Sequence, residues 1–465
     1  MAFDETERPG VPLLRLRPLF MMALSALNLA LAAAPAAAQI GLPGGLGNGL
    51  PQTPGLPGGL PTRNLPIGHD ALEGLARDGL EQVLQAPSRL RGVIRRSEGA
   101  LEADPAGWPV VRGELVAVDL SPQARERALA AGFAVVREER FDGLDMTTVV
   151  LAPPRRLSLR RALERLRDLD PDGSYAFNHV HTPAGEIGGG GTGIVPAAPA
   201  PAPPQRGALR IGLIDTGVDV RHPALAGERV VQRGFAGAAR AAPHGTAVAS
   251  LLVGRAGAFS GAAPGGDLYA ADVYGASRAG GSSTGLVQAL AWMVENDVPV
   301  VNISLVGPRN AVVEAAVRRA ASRGLLIVAA VGNDGPAAAP LYPAAYPDVV
   351  GVTAVNSRGR VLPEAARGPQ VDLAAPGADM AAAGSGQGYV SVRGSSFAAP
   401  LAAGLLARRM SRPDSAGAAA ALAAVARAAV DAGPSGPDPV YGQGVVAADR
   451  RISPATVGAR GRLTR

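Results

Sequence analysis

The chain contains no cysteine, and its 45 strongly basic residues are all arginine, because lysine occurs nowhere in the 465 residues. The first absence excludes disulfides, a thiolate nucleophile, cysteine-ligated zinc and iron–sulfur clusters. The second excludes a phosphate-binding loop of the GxxxxGK[ST] kind, Schiff-base chemistry and a Ser–Lys dyad. Aromatic residues are scarce, at 4%. No basic run carries interleaved aromatics, and arginines stand beside acids, as in Arg125-Glu126-Arg127 and Arg137-Glu138-Glu139-Arg140. The net charge of +6 therefore reads as arginine standing in for lysine, and no nucleic-acid partner is expected. For covalent catalysis there remain Ser, Thr, Asp, Glu, His and Tyr.

Glycine and proline are abundant, at 61 and 41, and gather in two stretches. Ahead of both, Arg8, Arg15 and Arg17 precede an apolar run from Leu19 to Ala38 that ends in Ala36-Ala37-Ala38. Charge, apolar run and small-residue site in that order predict a signal peptide over 1–38 and a secreted or periplasmic product. The membrane would be met only through this export signal. An uncleaved anchor is the competing reading, since the run approaches spanning length. Residues 39–107 follow as a Gly/Pro-rich spacer and a helical stretch from Asp70 to Arg96, with Leu72, Leu75, Leu80, Val83 and Leu84 near one face. Over 108–183 the pattern is β-α-β-β-α-β, a ferredoxin-like α+β order. Strands are expected at 110–120, 133–139, 147–153 and 174–180, with helices opening at Ser121-Pro122 and over 157–169. The second Gly/Ala/Pro stretch, 184–206, reads as a linker.

From residue 207 to 450, apolar β-rich runs alternate with helical stretches. Strands are expected at 209–215, 266–274, 298–305, 325–332 and 348–355, with helices at 247–254, 286–296 and 311–324. That alternation predicts a mostly parallel sheet covered by helices on both faces, a three-layer α/β domain, followed by a tail at 451–465. Functional groups should then gather at the carboxyl ends of the strands. Asp215 ends the first strand in IDTGVD, His244 opens a helical stretch in PHGTAVAS, and Ser396 opens another in GSSFAAP. A serine hydroxyl needs a neutral imidazole to take its proton, and a carboxylate behind the imidazole fixes its tautomer. Past residue 205 only His222 and His244 are available; His222 reads as structural, in a surface turn.

DTGVD at 215–219, HGTAVAS at 244–250 and GSSFAAP at 394–400 together resemble the three signatures of the subtilisin-like serine protease family, in that family's order. The resemblance covers roughly Leu209 to Val446. It implies Asp215 as orienting carboxylate, His244 as general base and acid, and Ser396 as nucleophile, with Pro400 in the first turn of its helix. VAAVGNDG at 328–335 then implies Asn333 as the side-chain donor of an oxyanion hole. NISLVG at 302–307 implies Ser304, Leu305, Val306 and Gly307 as the strand that pairs with extended substrate, although Val306 stands where the family has glycine and Ser395 where it has threonine. The resemblance further makes 108–183 a propeptide-like inhibitor and chaperone, with self-cleavage between about His181 and Gly207. Expected partners are thus protein or peptide substrates and the chain's own propeptide. No cofactor is required for the chemistry; structural calcium is frequent in the family, with no ligands assignable here.

Two other classes stand beside this one. A catalytically silent relative would keep the fold for binding or scaffolding. An esterase would use Gly281-Ser282-Ser283-Thr284-Gly285, a GxSxG match, but that segment follows a polar loop and no histidine comes after it, which makes it the N-terminal cap of a helix.

Overall fold

The computed structural model describes residues 88–188, 209–461 except 385, and 463. The expected signal peptide, the spacer at 41–66, most of the helical stretch 70–96 and the linker beyond 188 lie outside the described residues. Residues 88–96 are helical.

The first body is an antiparallel sheet with two helices. Strand β1 (Leu101–Ala103) precedes β2 (Pro109–Val118), helix α1 (Pro122–Ala130), β3 (Ala134–Phe141), β4 (Met146–Ala152), α2 (Leu159–Leu169) and β5 (Ser174–His179). The strands lie in the order β5-β2-β4-β3, and β1 pairs with the start of β2. Ser121 caps α1 by accepting a hydrogen bond from the Ala124 N–H at 3.1 Å, and Pro122 sits where a missing N–H costs nothing. Both faces of this sheet are apolar. Leu115, Ala117, Val149, Leu151, Tyr175 and Phe177 point to α1 and α2. Val116, Val118, Met146, Val150 and Ala176, one residue out of phase, point the other way and join the core of the second body. A strand's period of two fixes this division, and a sheet with two apolar faces must be covered twice.

The second body holds seven parallel strands in the order β17-β16-β15-β13-β8-β12-β9. These are β8 (Arg210–Asp215), β9 (Val230–Gly234), β12 (Asp267–Asp272), β13 (Val300–Ile303), β15 (Leu326–Ala330), β16 (Val349–Val355) and β17 (Leu373–Pro376). Helices α3 (Pro243–Val253) and α6 (Ser395–Ala407) cover one face; α4 (Ser283–Glu295) and α5 (Ala311–Ser322) cover the other. The expected three-layer α/β domain is present, and the second apolar face of the first sheet lies on α4 and α5. The edge strands β9 and β17 were not expected: β9, VVQRG, turns polar after two residues, and β17, LAAP, is apolar but only four residues long.

One expectation needs correction. Residues 182–188, counted largely as linker, form β6 (Thr182–Pro183) and β7 (Glu186–Ile187), because their backbones pair with β14 (Leu305–Val306) and β19 (Tyr389–Arg393). The tail at 451–465 is also tied into the second body. Its Arg460 exchanges backbone hydrogen bonds with Ser391 and Tyr389 of β19, at 3.0 Å each.

Asn310 joins the two bodies. It is buried, its Oδ1 caps α5 by accepting from the Val312 and Val313 N–H groups, and its Nδ2 donates to the Phe177 carbonyl and to His179 Nδ1, both at 2.9 Å. Asn310→Ala should destabilise the uncleaved chain by about 2–4 kcal/mol, combining a lost cap with buried acceptors left without donors. Urea denaturation measures this, and an unchanged midpoint would remove Asn310 as the link.

Candidate active site

Asp215 is the last residue of β8, at the carboxyl edge of the sheet, and is fully buried. His244 is the second residue of α3, and its Nδ1 lies 2.8 and 2.9 Å from the two Asp215 carboxylate oxygens. With Nδ1–H donating there, Nε2 carries the free lone pair. The approach requires glycine at the next position. A Cβ on Gly245 would stand 2.0 Å from the Thr216 carbonyl oxygen, so any side chain would push α3 away from β8. His244 Nε2 is buried without a hydrogen-bond partner, and the imidazole packs against Phe397 with ring centroids 5.4 Å apart.

Ser396 is the second residue of α6 and fully buried. Its hydroxyl donates to the Ser304 carbonyl at 3.1 Å and not to His244, so the Asp–His half of the expected triad is formed and the His–Ser link is not. Ser304 returns the contact, its hydroxyl donating to the Ser396 carbonyl at 2.8 Å. That carbonyl is available because of Pro400, which lies in the interior of α6 and not in its first turn as expected. Lacking an N–H, Pro400 leaves the acceptor four residues earlier without its helical donor, and Ser304 supplies one. Asn302 Nδ2 in turn donates to Ser304 Oγ at 2.8 Å.

Asn333 follows β15 and is held at both ends of its amide. Its Oδ1 accepts from the Ser395 N–H at 3.0 Å, and its Nδ2 donates to the Ala184 carbonyl at 2.6 Å. The Ser396 N–H donates to the same carbonyl at 3.0 Å. Gly394, at φ +133°, permits this, since a Cβ there would lie 2.8 Å from Asn333 Nδ2. Ser395 Oγ accepts from the Gly332 N–H at 3.1 Å and so fixes the loop that carries Asn333.

The residues expected to bind substrate all lie along one segment of the chain itself. Leu305 and Val306 pair antiparallel with Pro183 and Thr182. The Ala184 N–H donates to the Ser304 carbonyl at 3.3 Å. Gly307 leaves room for the His181 ring, which a Cβ would meet at 2.6 Å. On the far side of Ala184, Glu186 and Ile187 pair with Arg393 and Val392. The chain thus crosses the cleft unbroken, with the Ala184–Gly185 peptide beside Ser396. Nothing in the run HTPAGEI reads as strand, since proline, glycine and two apolar residues three apart leave no period of two.

His181 is fully buried with both ring nitrogens unpartnered, and burial together with the neighbouring His179 pushes its pKa down to about 3. His222 is structural as expected but fully buried, not in a surface turn: Nδ1 accepts from the Ala224 N–H and Nε2 donates to the Gly388 carbonyl. Ser282 caps α4 through the Gly285 N–H at 3.2 Å, so the GxSxG match is a helix start. Among the described residues no three His, Asp or Glu side chains form a cluster of the kind that holds a metal ion.

Comparison with known proteins agrees with this geometry. Residues 207–444 match the subtilase family pattern. M-protease of Shouchella clausii (strain KSM-K16) is 34% identical over 258 residues, covering 52% of this chain and 64% of that protein. Subtilisin Savinase of Lederbergia lenta is 35% identical over 224 residues, covering 45% of this chain and 80% of that protein. Among solved structures, fervidolysin of Fervidobacterium pennivorans, described as a keratinolytic enzyme related to subtilisin, superposes with a TM-score of 0.58 at 17% identity, covering 76% of this chain and 62% of that one. The chain therefore spans less than two thirds of the length of M-protease and of fervidolysin. Half of the chain matches the family pattern, in the body that carries Asp215, His244 and Ser396, and the chain belongs to the subtilase family of serine proteases.

Proposed function

We propose that the chain is the precursor of an exported serine endopeptidase, which cuts its own Ala184–Gly185 bond and is then held inhibited by the released segment. One observation carries this: the Ala184 carbonyl accepts from both the Ser396 N–H and Asn333 Nδ2, the two donors an oxyanion needs, while β6 lies on β14 as an extended substrate would. Export rests on the charge, apolar run and small-residue site of the N-terminal segment.

The steps follow from the geometry. The Ser396 hydroxyl turns from the Ser304 carbonyl to His244 Nε2, gives up its proton there and attacks the Ala184 carbonyl carbon. The negative charge that forms on the Ala184 oxygen is met by the two donors already in place. When the tetrahedral centre collapses, the C–N bond breaks, His244 passes its proton to the departing Gly185 nitrogen, and Ala184 remains as an ester on Ser396. Water, deprotonated by His244, cleaves that ester and restores the serine. Asp215 stabilises the imidazolium in both halves without taking the proton. Peptide and protein substrates would later bind β14 and β19 as residues 182–187 do.

The purified processed protein should begin at Gly185, and Ser396→Ala should remain full-length; N-terminal sequencing and a fluorophosphonate label read both. A folded wild-type chain that neither cleaves itself nor takes the label would leave the catalytically silent scaffold standing. Asn333→Ala should slow peptide hydrolysis by roughly 10²–10³ in kcat, the size known for the corresponding donor of subtilisin, with KM little changed. An equal loss in KM would mean that Asn333 only binds the ground state.

His181 gives a pH dependence. Bound in the cleft its pKa is about 3, whereas in the free segment it returns to roughly 6.5. The free form therefore binds more protons between these values, so the inhibited complex is strongest above about pH 6.5 and weakens as pH falls towards 3. The inhibition constant of the released segment should rise by up to about tenfold per unit below pH 6.5, and His181→Phe should flatten that slope. The same slope in the variant would assign the effect to another group.

A further inference from the structure

Strand β19 pairs with β18 (Met380–Ala383) along one edge, and two segments share the other. Leaving the cleft, β7 runs antiparallel to β19, with Glu186 opposite Arg393 and Ile187 opposite Val392. The next residue, Gly188, donates its N–H to the Ser391 carbonyl at 2.9 Å. In an antiparallel ladder such a pair exchanges two hydrogen bonds, and the Ser391 N–H would return to Gly188. It goes instead to the Arg460 carbonyl at 3.0 Å, while the Arg460 N–H takes the Tyr389 carbonyl at 3.0 Å. Arg460 itself lies parallel to β19, opposite Val390. The tail thus occupies the donor and the acceptor that an extended chain needs to stay paired beyond Gly188. It also stands close, since a Cβ on Gly188 would lie 3.2 Å from both the Gly461 and the Ser391 carbonyl oxygens. The tail is anchored on its own side. The Ala381 N–H donates to the Ile452 carbonyl at 2.9 Å, and the Arg451 guanidinium donates to the Asp379 carbonyl at 2.6 Å. Ile452, Val457 and Ala459 pack against the core.

We propose that residues 459–461 close the downstream end of the cleft. A protein substrate then pairs with β19 only as far as the third residue past the cleaved bond, the place of Ile187. The fourth, the place of Gly188, must be glycine or very small. The inference deepens the protease reading and rests on it. The upstream half of the cleft is filled by groups of the segment expected to depart, the ion pair of Arg89 with Asp334 among them. The tail belongs to the catalytic body, remains after processing, and so meets every later substrate. Substrate residues beyond the fourth gain nothing from β19, because the Ser391 N–H and the Tyr389 carbonyl are already bonded. A side chain on the fourth meets two carbonyl oxygens, one of them the tail's.

The experiment gives processed enzyme a peptide with the chain's own sequence from Val180 to Gly188. Its hydrolysis between Ala184 and Gly185 by the wild type tests the protease reading, and its absence overturns both. Adding four threonines after Gly188 tests the closed end, and should leave the wild-type kcat/KM unchanged. In a chain stopped after Gly458, which keeps Ile452 and Val457, the same addition should raise kcat/KM about tenfold, as two recovered backbone hydrogen bonds allow. Gly188→Val in the peptide should lower the wild-type kcat/KM about tenfold through crowding, and the shortened chain should lose most of that penalty. Arg460→Pro deletes the N–H given to Tyr389 in a chain of full length. It should move both ratios in the same direction, so the answer does not hang on the shortened chain folding. If the added threonines and the valine act alike on the wild type and on both variants while the parent peptide is cut, the inference fails and the protease reading stands.

Discussion

The carbonyl oxygen of Ala184, held by the Ser396 N–H and the Asn333 amide, is the contact to which the rest of the molecule is fitted. For it to form, the chain must arrive extended along β14 and leave along β19, and α6 must begin where its second N–H points into the cleft. The loop after β15 must also turn Asn333 inward. Each condition has its own local device. Gly394 at positive φ opens α6, Ser395 ties the Asn333 loop with its N–H and hydroxyl, and Ser304 anchors both the entering backbone and the start of the helix.

Pro400 shows how closely the helix and the site are coupled. A proline inside a helix normally costs about 3 kcal/mol, partly through a carbonyl left without its donor. Here that carbonyl belongs to Ser396, the residue that supplies both the proposed nucleophile and one oxyanion donor. The Ser304 hydroxyl satisfies it, so a residue of the substrate-pairing strand is bonded to the catalytic turn through the gap that proline opens. The fault in the helix is thereby a joint between two parts of the cleft.

Much of this was legible in the sequence, for reasons that differ by element. The central strands were found because burial on both faces writes continuous apolar runs such as LRIGLID and LLIVAAVG. Asp215, His244 and Ser396 stand at a strand end and two helix starts that the sequence marks, Asn333 is added by the resemblance to the subtilases, and the fold brings the four to one edge of the sheet. The β-α-β-β-α-β order of 109–179 was readable from its periods, but the meaning of its second apolar face was not, since alternation cannot say what covers a face. Residues 182–187 were missed altogether. Their strand character comes from partners more than a hundred residues away, and a backbone that pairs in a cleft needs no β propensity of its own. Arg89–Asp334 was invisible for the same reason of distance.

On the proposed self-cleavage, the position of those unpatterned residues would let one segment be substrate first and inhibitor afterwards. The contacts that present Ala184–Gly185 to Ser396 lie on both sides of the bond, and cutting it removes few of them. On the upstream side remain β6 on β14, the His181 ring under Gly307, the Asn310 and Thr284 contacts, and the apolar face of β2, β4 and β5 on α4 and α5. On the downstream side, the short pairing of β7 with β19 would hold Gly185 to Ile187 once the covalent tie is gone. The product with the large interface would therefore stay, and the small one would depart. Release would then depend on weakening the upstream interface, which includes a buried imidazole that enclosure keeps neutral well below the pH at which it would otherwise take a proton, and an arginine paired with a carboxylate of the cleft. Both are points at which solvent protons or a competing basic side chain would act on the proposed inhibited complex, without any change in the residues that would break the bond.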